Sequence, residues 1–597
     1  MRLPSIETAY LEARRTASRF PFVLCCAFAG VIAALRIIHP EPSPESSVAF
    51  PILIAAVLGI PLMTALALCA ERRQWSRPLY FGSELLVLLL LAGYALTIPK
   101  TLPREPLSYM IRSGLLAAGL VLLAMIAPYL KKGQLNGFWQ YNRILFLRFL
   151  VTGVSSFVLF AGLAIALAAL DKLFGVSVPD KSYAELWVGV VGLFSPWFFL
   201  SGIPASLDDL DRVEEYPKGL KIFAQYILFS LVIVYLAILY SYLLKILLQW
   251  SWPKGWVSSL ILGFSATTII SLLLLHPIRD RSENRWIREA GKWLYVVLIP
   301  LIAVLFLAVT ERISDYGITE SRYAGIAFGV WLSALVLYFL FSRSKSVKFT
   351  IGSLCLLAFL INFGPWGMLS TSQRSQVERL RKLLTKNGIL VDEKVTAEHG
   401  KISPEDGREI SSIVDYLSRV HGYDAIQPWF SERLKSATGY RRALSPSDVL
   451  ERMGMDYVAY QGSPVGRTFS RDAKRPIEIS GYDRVLGLQS LDRKSRFNSE
   501  DISYVVGDEM ATLTVTVGNA QAAVQLDIRS FADELLRDYG DADFAITNNM
   551  TPDSMAINAE KGGQKVKLLF RRLSVVPRKG KTDILSFTAD IAYTVRK

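Results

Sequence analysis

The segment from Trp293 to Phe341 reads WLYVVLIPLIAVLFLAV (293–309), TERISDYGITESRY (310–323) and AGIAFGVWLSALVLYFLF (324–341). Apolar runs of 17 and 18 residues therefore flank a short polar segment that contains Gly317. A helix needs about 20 apolar residues to cross the ~30 Å hydrocarbon core of a bilayer. The pattern predicts two membrane-spanning helices joined by a turn, in which glycine tolerates the required backbone conformation.

The same alternation of long apolar runs and short polar segments extends from the N-terminus to about residue 370, where it stops. The mean hydropathy of +0.33 is too high for an ordinary soluble chain of this length. Eleven spans are predicted: Phe20–Ile38, Ala49–Ala70, Tyr80–Ile98, Ser113–Leu130, Leu145–Leu170, Leu186–Ile203, Leu220–Leu248, Trp256–Leu275, Trp293–Val309, Ala324–Phe341 and Phe349–Leu369. The predicted fold is an α-helical polytopic membrane domain (1–371) followed by a soluble α+β domain with antiparallel strands (372–597).

The basic residues between the spans predict the orientation of the chain. With the N-terminus in the cytoplasm, the inner segments, counted with the first turns of the spans that follow them, carry 22 lysines and arginines, and the outer loops carry 8. Such an excess is typical of cytoplasmic loops. An odd number of spans then places residues 372–597 on the other side, which we expect to be the periplasm of a bacterial cell with an inner membrane. The first span is long and is followed at once by a second, which favours an uncleaved helix over a signal peptide.

The net charge of +14 does not indicate nucleic-acid binding. Residues 372–597 hold 34 basic and 31 acidic residues, so most of the excess lies in the loops of the membrane domain. The four cysteines all lie in apolar runs, and the four histidines are far apart in sequence. This distribution has no metal-ligand spacing, and we expect no metal or other cofactor.

The last third of the chain shows local signals for both helices and strands. Helix starts are predicted at Ser403-Pro404 and Ser445-Pro446, because serine caps helices and proline suits their first turn. A third helix precedes Asn387-Gly388. The alternating segment TLTVTV (Thr512–Val517), followed by Gly518-Asn519, predicts a β-hairpin with the next apolar alternation. Two further strands are predicted around residues 566–570 and 585–595.

Five longer stretches combine loop and helix residues in a more specific way. They are FWQYNRILFLRF (138–149), YPKGLKIFAQYIL (216–228), SWPKGWVSSLIL (251–262), RISDYGITESRY (312–323) and FGPWGMLSTSQRSQVERL (363–380). In this order they resemble a bacterial multi-pass membrane family known as domain-of-unknown-function family 4153. The resemblance implies a polytopic membrane protein and brings no catalytic residues with it.

Candidate contact residues come from charge and aromatic side chains at or inside the membrane. Glu84 is predicted to lie about one turn inside a span, where an ionisable group often marks a functional site. The other candidates combine basic or aromatic side chains near the membrane surface, where they could contact lipid or substrate. They are Tyr141, Arg143, Arg148, Lys218, Trp252, Lys254, Trp256, Asp315 and Tyr316. For each of them an ordinary structural role stays open.

Three functional hypotheses follow from these features. The first is a non-enzymatic envelope maintenance or assembly protein that binds membrane lipids, or protein partners through residues 372–597. The second is a transporter or flippase for a lipid-linked or small amphipathic substrate, with Glu84 and prolines 61, 196 and 300 along its path. The third is a glycosyltransferase-like enzyme with lipid-phosphate donors, for which Glu41 and Glu45 in the first outer loop would supply the acidic pair. That loop is short and rich in proline and serine, so we do not expect catalysis.

Overall fold

A computed structural model provides the fold. It describes residues 6–39, 48–99, 107–131, 133–213, 216–249, 256–279, 284–342, 345–396, 402–434, 444–455, 467–472, 475–488, 496–499, 501–507, 510–518, 523–539, 546–578 and 581–595.

Ten helical segments in the described part of the chain are long and apolar enough to cross a membrane. They are Pro21–Ile38, Ala49–Arg72, Arg77–Leu96, Ser108–Tyr129, Leu135–Phe174, Asp180–Ser201, Lys218–Gln249, Val257–Ile278, Arg285–Tyr316 and Glu320–Phe341. A shorter apolar helix, Val347–Leu360, follows them. The prediction of a multi-pass membrane domain of about eleven helices is therefore confirmed.

The helices are numbered in chain order. They are α1 (Ile6–Arg19), α2 (Pro21–Ile38), α3 (Ala49–Arg72), α4 (Arg77–Leu96), α5 (Ser108–Ile126), α6 (Leu135–Phe174), α7 (Asp180–Gly189), α8 (Ser195–Ser201), α9 (Lys218–Ile222), α10 (Phe229–Gln249), α11 (Trp256–Leu275), α12 (Arg285–Tyr316), α13 (Glu320–Phe341), α14 (Val347–Leu360), α15 (Met368–Lys386), α16 (Pro404–Val420), α17 (Pro446–Arg452) and α18 (Ile528–Tyr539).

The strands are β1 (Leu390–Val391), β2 (Lys394–Val395), β3 (Arg467–Arg471), β4 (Arg484–Leu488), β5 (Arg496–Asn498), β6 (Ile502–Val506), β7 (Thr512–Val517), β8 (Val524–Asp527), β9 (Ile546–Met550), β10 (Ala556–Lys561), β11 (Gln564–Arg578) and β12 (Lys581–Tyr593).

The last apolar helix differs from its predicted bounds. The expected span Phe349–Leu369 is interrupted, because α14 ends at Leu360 and α15 begins at Met368. The intervening turn contains Gly364 with a φ of +82°, followed directly by Pro365. A left-handed glycine and a proline, which cannot donate a backbone hydrogen bond, stop a helix even inside an apolar run.

Two spans contain one wide helical turn each. Residues Val190–Phe194 join α7 to α8 as a π-helix, and Phe223–Leu228 join α9 to α10 in the same way. The first of these wide turns lies just before Pro196, whose ring would clash with the carbonyl group of an ordinary preceding turn. By contrast, α3 and α12 continue through Pro61 and Pro300.

The chain forms two compact units. The first contains residues up to Arg379 together with Arg419–Ile426, and the second contains Leu380–Ser418, Gln427–Leu434 and the chain from Leu444 onward. Two large apolar clusters stabilise the first unit. One centres on Met63, Leu68 and Tyr141, and the other on Leu298, Leu305 and Leu332. We name one end of this unit the basic end, defined by Arg19, Arg72 and Lys348.

The second unit confirms the predicted local signals. Helix α16 begins after Ser403, whose hydroxyl accepts from the Asp406 N–H at 3.1 Å. Ser445 and Asp448 form a reciprocal capping box at the start of α17. In the predicted hairpin, β7 and β8 pair in antiparallel fashion with Leu513 opposite Leu526. The residues of its turn, 519–522, lie outside the described residues.

Three sheets organise the strands of this unit. The largest has the order β4-β12-β11-β3-β9, with β10 also pairing with β11, and a second sheet has the order β5-β6-β7-β8. The strands β1 and β2 form a small separate pair. Among the described strands, all pairs are antiparallel except β3–β9, which is parallel. That pair joins strands far apart in sequence, which a local pattern does not predict.

Candidate functional site

The predicted membrane carboxylate of Glu84 is fully buried, with 0% of the residue exposed. On α4, Leu91 faces the same way, two turns further on, whereas Leu85, Leu86, Leu89 and Leu90 are exposed. Neither carboxylate oxygen has a hydrogen-bond partner among the described residues. A buried ionisable group inside a membrane helix is costly and often marks a functional site.

The three candidates on α6 have different surroundings. Tyr141 is fully buried, and its hydroxyl donates to the Ala124 carbonyl at 2.9 Å. The Arg143 guanidinium lies 5.8 Å from the ring centre of Trp139. The side chain of Arg148 lies directly against Gly202, where it leaves no room for a Cβ atom. The three side chains thus have different neighbours among the described residues, and a common site stays a prediction.

The structure describes some of the candidate residues between α8 and α11. Lys218 is exposed at the start of α9. Trp252 and Lys254 lie outside the described residues. Trp256 is the first residue of α11, and the structure describes its backbone only. The loop that carries Glu41 and Glu45 also lies outside the described part of the chain. Their predicted contacts stay predictions.

Asp315 and Tyr316 are the last two residues of α12, and together with the turn that follows they contact α15. Gln376 donates from Nε2 to the carbonyl oxygens of Tyr316 and Ile318, at 2.9 and 3.1 Å. The Arg379 guanidinium donates to the Asp315 carbonyl, and Gly317 adopts a φ of +70° beside Gln376. The polar segment between the two quoted apolar runs therefore contacts the start of the next polar helix. Both contact partners belong to stretches that carried the family resemblance.

A polar cluster at the basic end was not predicted. The Arg72 guanidinium is 7% exposed and lies 2.6 Å from an Asp208 carboxylate oxygen and 3.7 Å from one of Asp211. Asp211 also accepts the Gly137 N–H at 2.7 Å, at the start of α6. Anionic groups are favoured at helix N-termini. The acidic residues in a loop otherwise expected to be basic were a signal for this cluster.

The same cluster contains Lys348 at the start of α14. Its ammonium group donates to the carbonyl oxygens of Tyr129, Lys131 and Gly133 at 2.8, 2.9 and 2.6 Å. These carbonyl groups lie where α5 and its short extension end, so a cation there satisfies acceptors that lack helical partners. The contacts of Arg72, Asp211 and Lys348 all run within the protein, which indicates a structural role.

A groove in the second unit combines an apolar floor with acidic groups. We name it the acidic groove. It has a volume of about 460 Å³. Its lining consists of Asp527, Ser530, Phe531, Glu534, Leu535, Asp538, Asp553, Ser554, Ala556, Ile557 and Asn558. Helix α18 supplies one wall, and β10 with the turn before it supplies the other.

The charge of the acidic groove depends on the neighbours of its acidic side chains. The backbone N–H of Ser530 donates to Asp527, and this hydrogen bond holds the pKa of that carboxyl group below its usual range. Asp553 has one described cationic neighbour, Lys567, at 3.5 Å. Glu534 and Asp538 are exposed along the same face of α18. The lining residues include four carboxyl groups and no lysine or arginine, which suits a cationic, partly apolar ligand.

Comparisons with known proteins agree with this architecture. The family described as "Domain of unknown function (DUF4153)" matches residues 15–390. An uncharacterised protein of Pasteurella multocida (strain Pm70), PM1469, is 24% identical over 233 residues. That match covers 38% of this chain and 38% of the relative, so the chain spans well under half of the relative's length. No solved structure matches. Since the family match covers more than half of the chain, the protein belongs to the DUF4153 family.

Proposed function

We propose that the protein is a scaffold of the bacterial inner membrane that maintains or assembles the envelope by binding a protein partner in the acidic groove. The groove is the observation that carries this proposal. Its carboxylates surround Phe531, Leu535 and Ile557, which gives a partner both charge complementarity and apolar contact. The occupant would be a short amphipathic segment rich in lysine or arginine. On the predicted topology, this partner would reach the groove from the periplasm.

A photo-crosslinking experiment tests the scaffold proposal. A photoreactive amino acid replaces Asn558, which is exposed and lines the groove, in the full-length protein expressed in its native membrane. We expect a discrete protein adduct that mass spectrometry identifies. The double variant Glu534→Gln/Asp538→Asn should reduce the adduct about tenfold or more. Two lost charge pairs of roughly 1 kcal/mol each weaken binding by that order.

The matched control is Glu405→Gln. Glu405 is an exposed carboxylate in the first turn of α16 and does not line the groove. This variant should leave the adduct unchanged. An adduct that survives the double variant at full yield, or one that Glu405→Gln removes equally, would contradict partner binding in the groove.

A second candidate function rests on Glu84 alone. Its buried carboxyl group, beside the Tyr80 hydroxyl group one turn earlier, favours a transporter that couples substrate movement to a proton or a cation. For this function we expect a deletion strain to accumulate one lipid-linked species in its envelope, as measured by mass spectrometry. Glu84→Gln, which keeps the shape but cannot ionise, should fail to reverse the accumulation. A normal lipid profile in the Glu84→Gln strain would favour the scaffold.

A further inference from the structure

A second cavity lies at the basic end of the helical bundle, between α11, α12, α13 and α14. We name it the basic cavity. Its volume of about 150 Å³ is roughly ten times the space that one water molecule requires. It is lined by Ile269, Leu272, Leu273, Leu275, His276, Arg279, Ile287, Arg288, Gly291, Lys292, Tyr295, Phe339, Lys345, Val347 and Thr350.

The chemistry of the lining changes across the basic cavity. Four arginine and lysine side chains contribute to it: Arg279, Arg288, Lys292 and Lys345. The other wall is apolar, with Phe339 stacked on Tyr295 at a ring separation of 4.9 Å. Cationic groups beside an apolar wall match a ligand that has an anionic head and a hydrocarbon body.

One acidic side chain among the described residues reduces this charge. Glu289 lies 3.1 Å from the Lys292 ammonium and 3.7 Å from the Arg288 guanidinium. All three side chains are about half exposed, so these pairs are weak and can exchange with a ligand. A single carboxylate shared in this way balances only one of the two charges of Arg288 and Lys292.

We propose that the basic cavity binds the phosphate group of an anionic phospholipid, with the acyl chains against the apolar wall that includes Ile269 and Phe339. Basic residues that only set the orientation of a membrane protein need to lie near the membrane surface and need not line a cavity. Here the cationic groups come from three separate segments and line one cavity between helices, where such groups bind anionic lipid headgroups. Thr350, which is buried in the same lining, adds a hydroxyl group that can contact a phosphate oxygen. This inference is independent of the acidic groove and of the scaffold proposal.

Lipid titration of the purified full-length protein in detergent tests the inference. Native mass spectrometry counts bound phosphatidylglycerol or phosphatidylcholine, and the melting temperature of the lipid-free protein checks the fold of each variant. We expect phosphatidylglycerol to bind about tenfold more tightly than phosphatidylcholine. Arg288→Gln should weaken phosphatidylglycerol binding about fivefold, and Arg279→Gln/Lys345→Gln about twentyfold, as expected for roughly one charge contact per side chain.

The matched control is Arg285→Gln, at the exposed first position of α12 and outside the cavity lining. It should change phosphatidylglycerol binding less than about twofold, because screening weakens distant surface charges. Three results would overturn the inference. They are equal binding of the two lipids, an equal loss in the Arg285→Gln variant, and displacement of the lipid by inorganic phosphate at the same concentration, which would make free phosphate the ligand.

Discussion

Asp590→Ala is expected to lower the local free energy of unfolding of the large sheet by about 3–5 kcal/mol, the usual cost of removing one partner of a buried ion pair. Asp590 lies on β12 with a side chain that is 7% exposed. Its carboxylate accepts two hydrogen bonds from the Arg571 guanidinium, one of them at 3.0 Å, and lies 3.5 Å from Arg471. The alanine variant leaves Arg471, 10% exposed, without this carboxylate.

Hydrogen–deuterium exchange of the full-length protein measures this effect. Peptides from β11 and β12 should exchange about a hundredfold faster or more in the variant, because each 1.4 kcal/mol corresponds to a factor of ten. Asp553→Ala is the control, since Asp553 is 86% exposed and contacts Lys567 across 3.5 Å. It should change the free energy of the opening that permits exchange by less than about 1 kcal/mol. If both variants exchanged alike, the buried cluster would not stabilise the sheet.

Gly137→Ala is expected to destabilise the basic end by about 3 kcal/mol. An added Cβ would lie 2.7 Å from an Asp211 carboxylate oxygen and 3.0 Å from the Tyr129 ring. Both neighbours are fixed by other contacts, Asp211 near Arg72 and Tyr129 by its hydrogen bond to the Leu207 carbonyl. Overpacking costs about 1–3 kcal/mol, and displacement of Asp211 adds the loss of its bond to the Gly137 N–H.

The control for this substitution is on the same helix. Gly153 also lies in α6, is exposed, and has open space around its Cα. Gly153→Ala should be neutral or stabilising by about 0.5–1 kcal/mol, because alanine favours a helix more than glycine does. Thermal melting of the detergent-solubilised protein compares the two variants. Equal melting temperatures would show that the close approach at Gly137 does not matter.

The sequence predicts those parts of the fold that depend on residues close together in the chain. The spans follow from apolar length, and the caps at Ser403 and Ser445 follow from side chains that bond within one helical turn. The break between α14 and α15 was missed because hydropathy continues through Gly364-Pro365. The parallel pair of β3 and β9 was missed because its partners meet only after the rest of the sheet is arranged.

The same division applies to the candidate sites. An acidic residue in an apolar run is visible in sequence, so Glu84 could be identified, and its function stays a prediction. The cluster of Arg72, Asp208 and Asp211 joins segments more than a hundred residues apart. The acidic groove and the basic cavity likewise depend on which helices and strands become neighbours. The sequence shows which residues are charged, but it does not show which of them lie together in the folded protein.

The order of strands in the large sheet has a consequence for synthesis. The hydroxyl groups of Thr468 in β3 and Ser574 in β11 lie 2.9 Å apart, although 106 residues separate them. A ribosome adds about 5–20 residues per second, so roughly 5–20 s pass between the two strands. During this interval β3 lacks its antiparallel neighbour, and unpaired strand edges invite aggregation. Chaperones and proteases therefore have several seconds to bind β3 before β11 can pair with it.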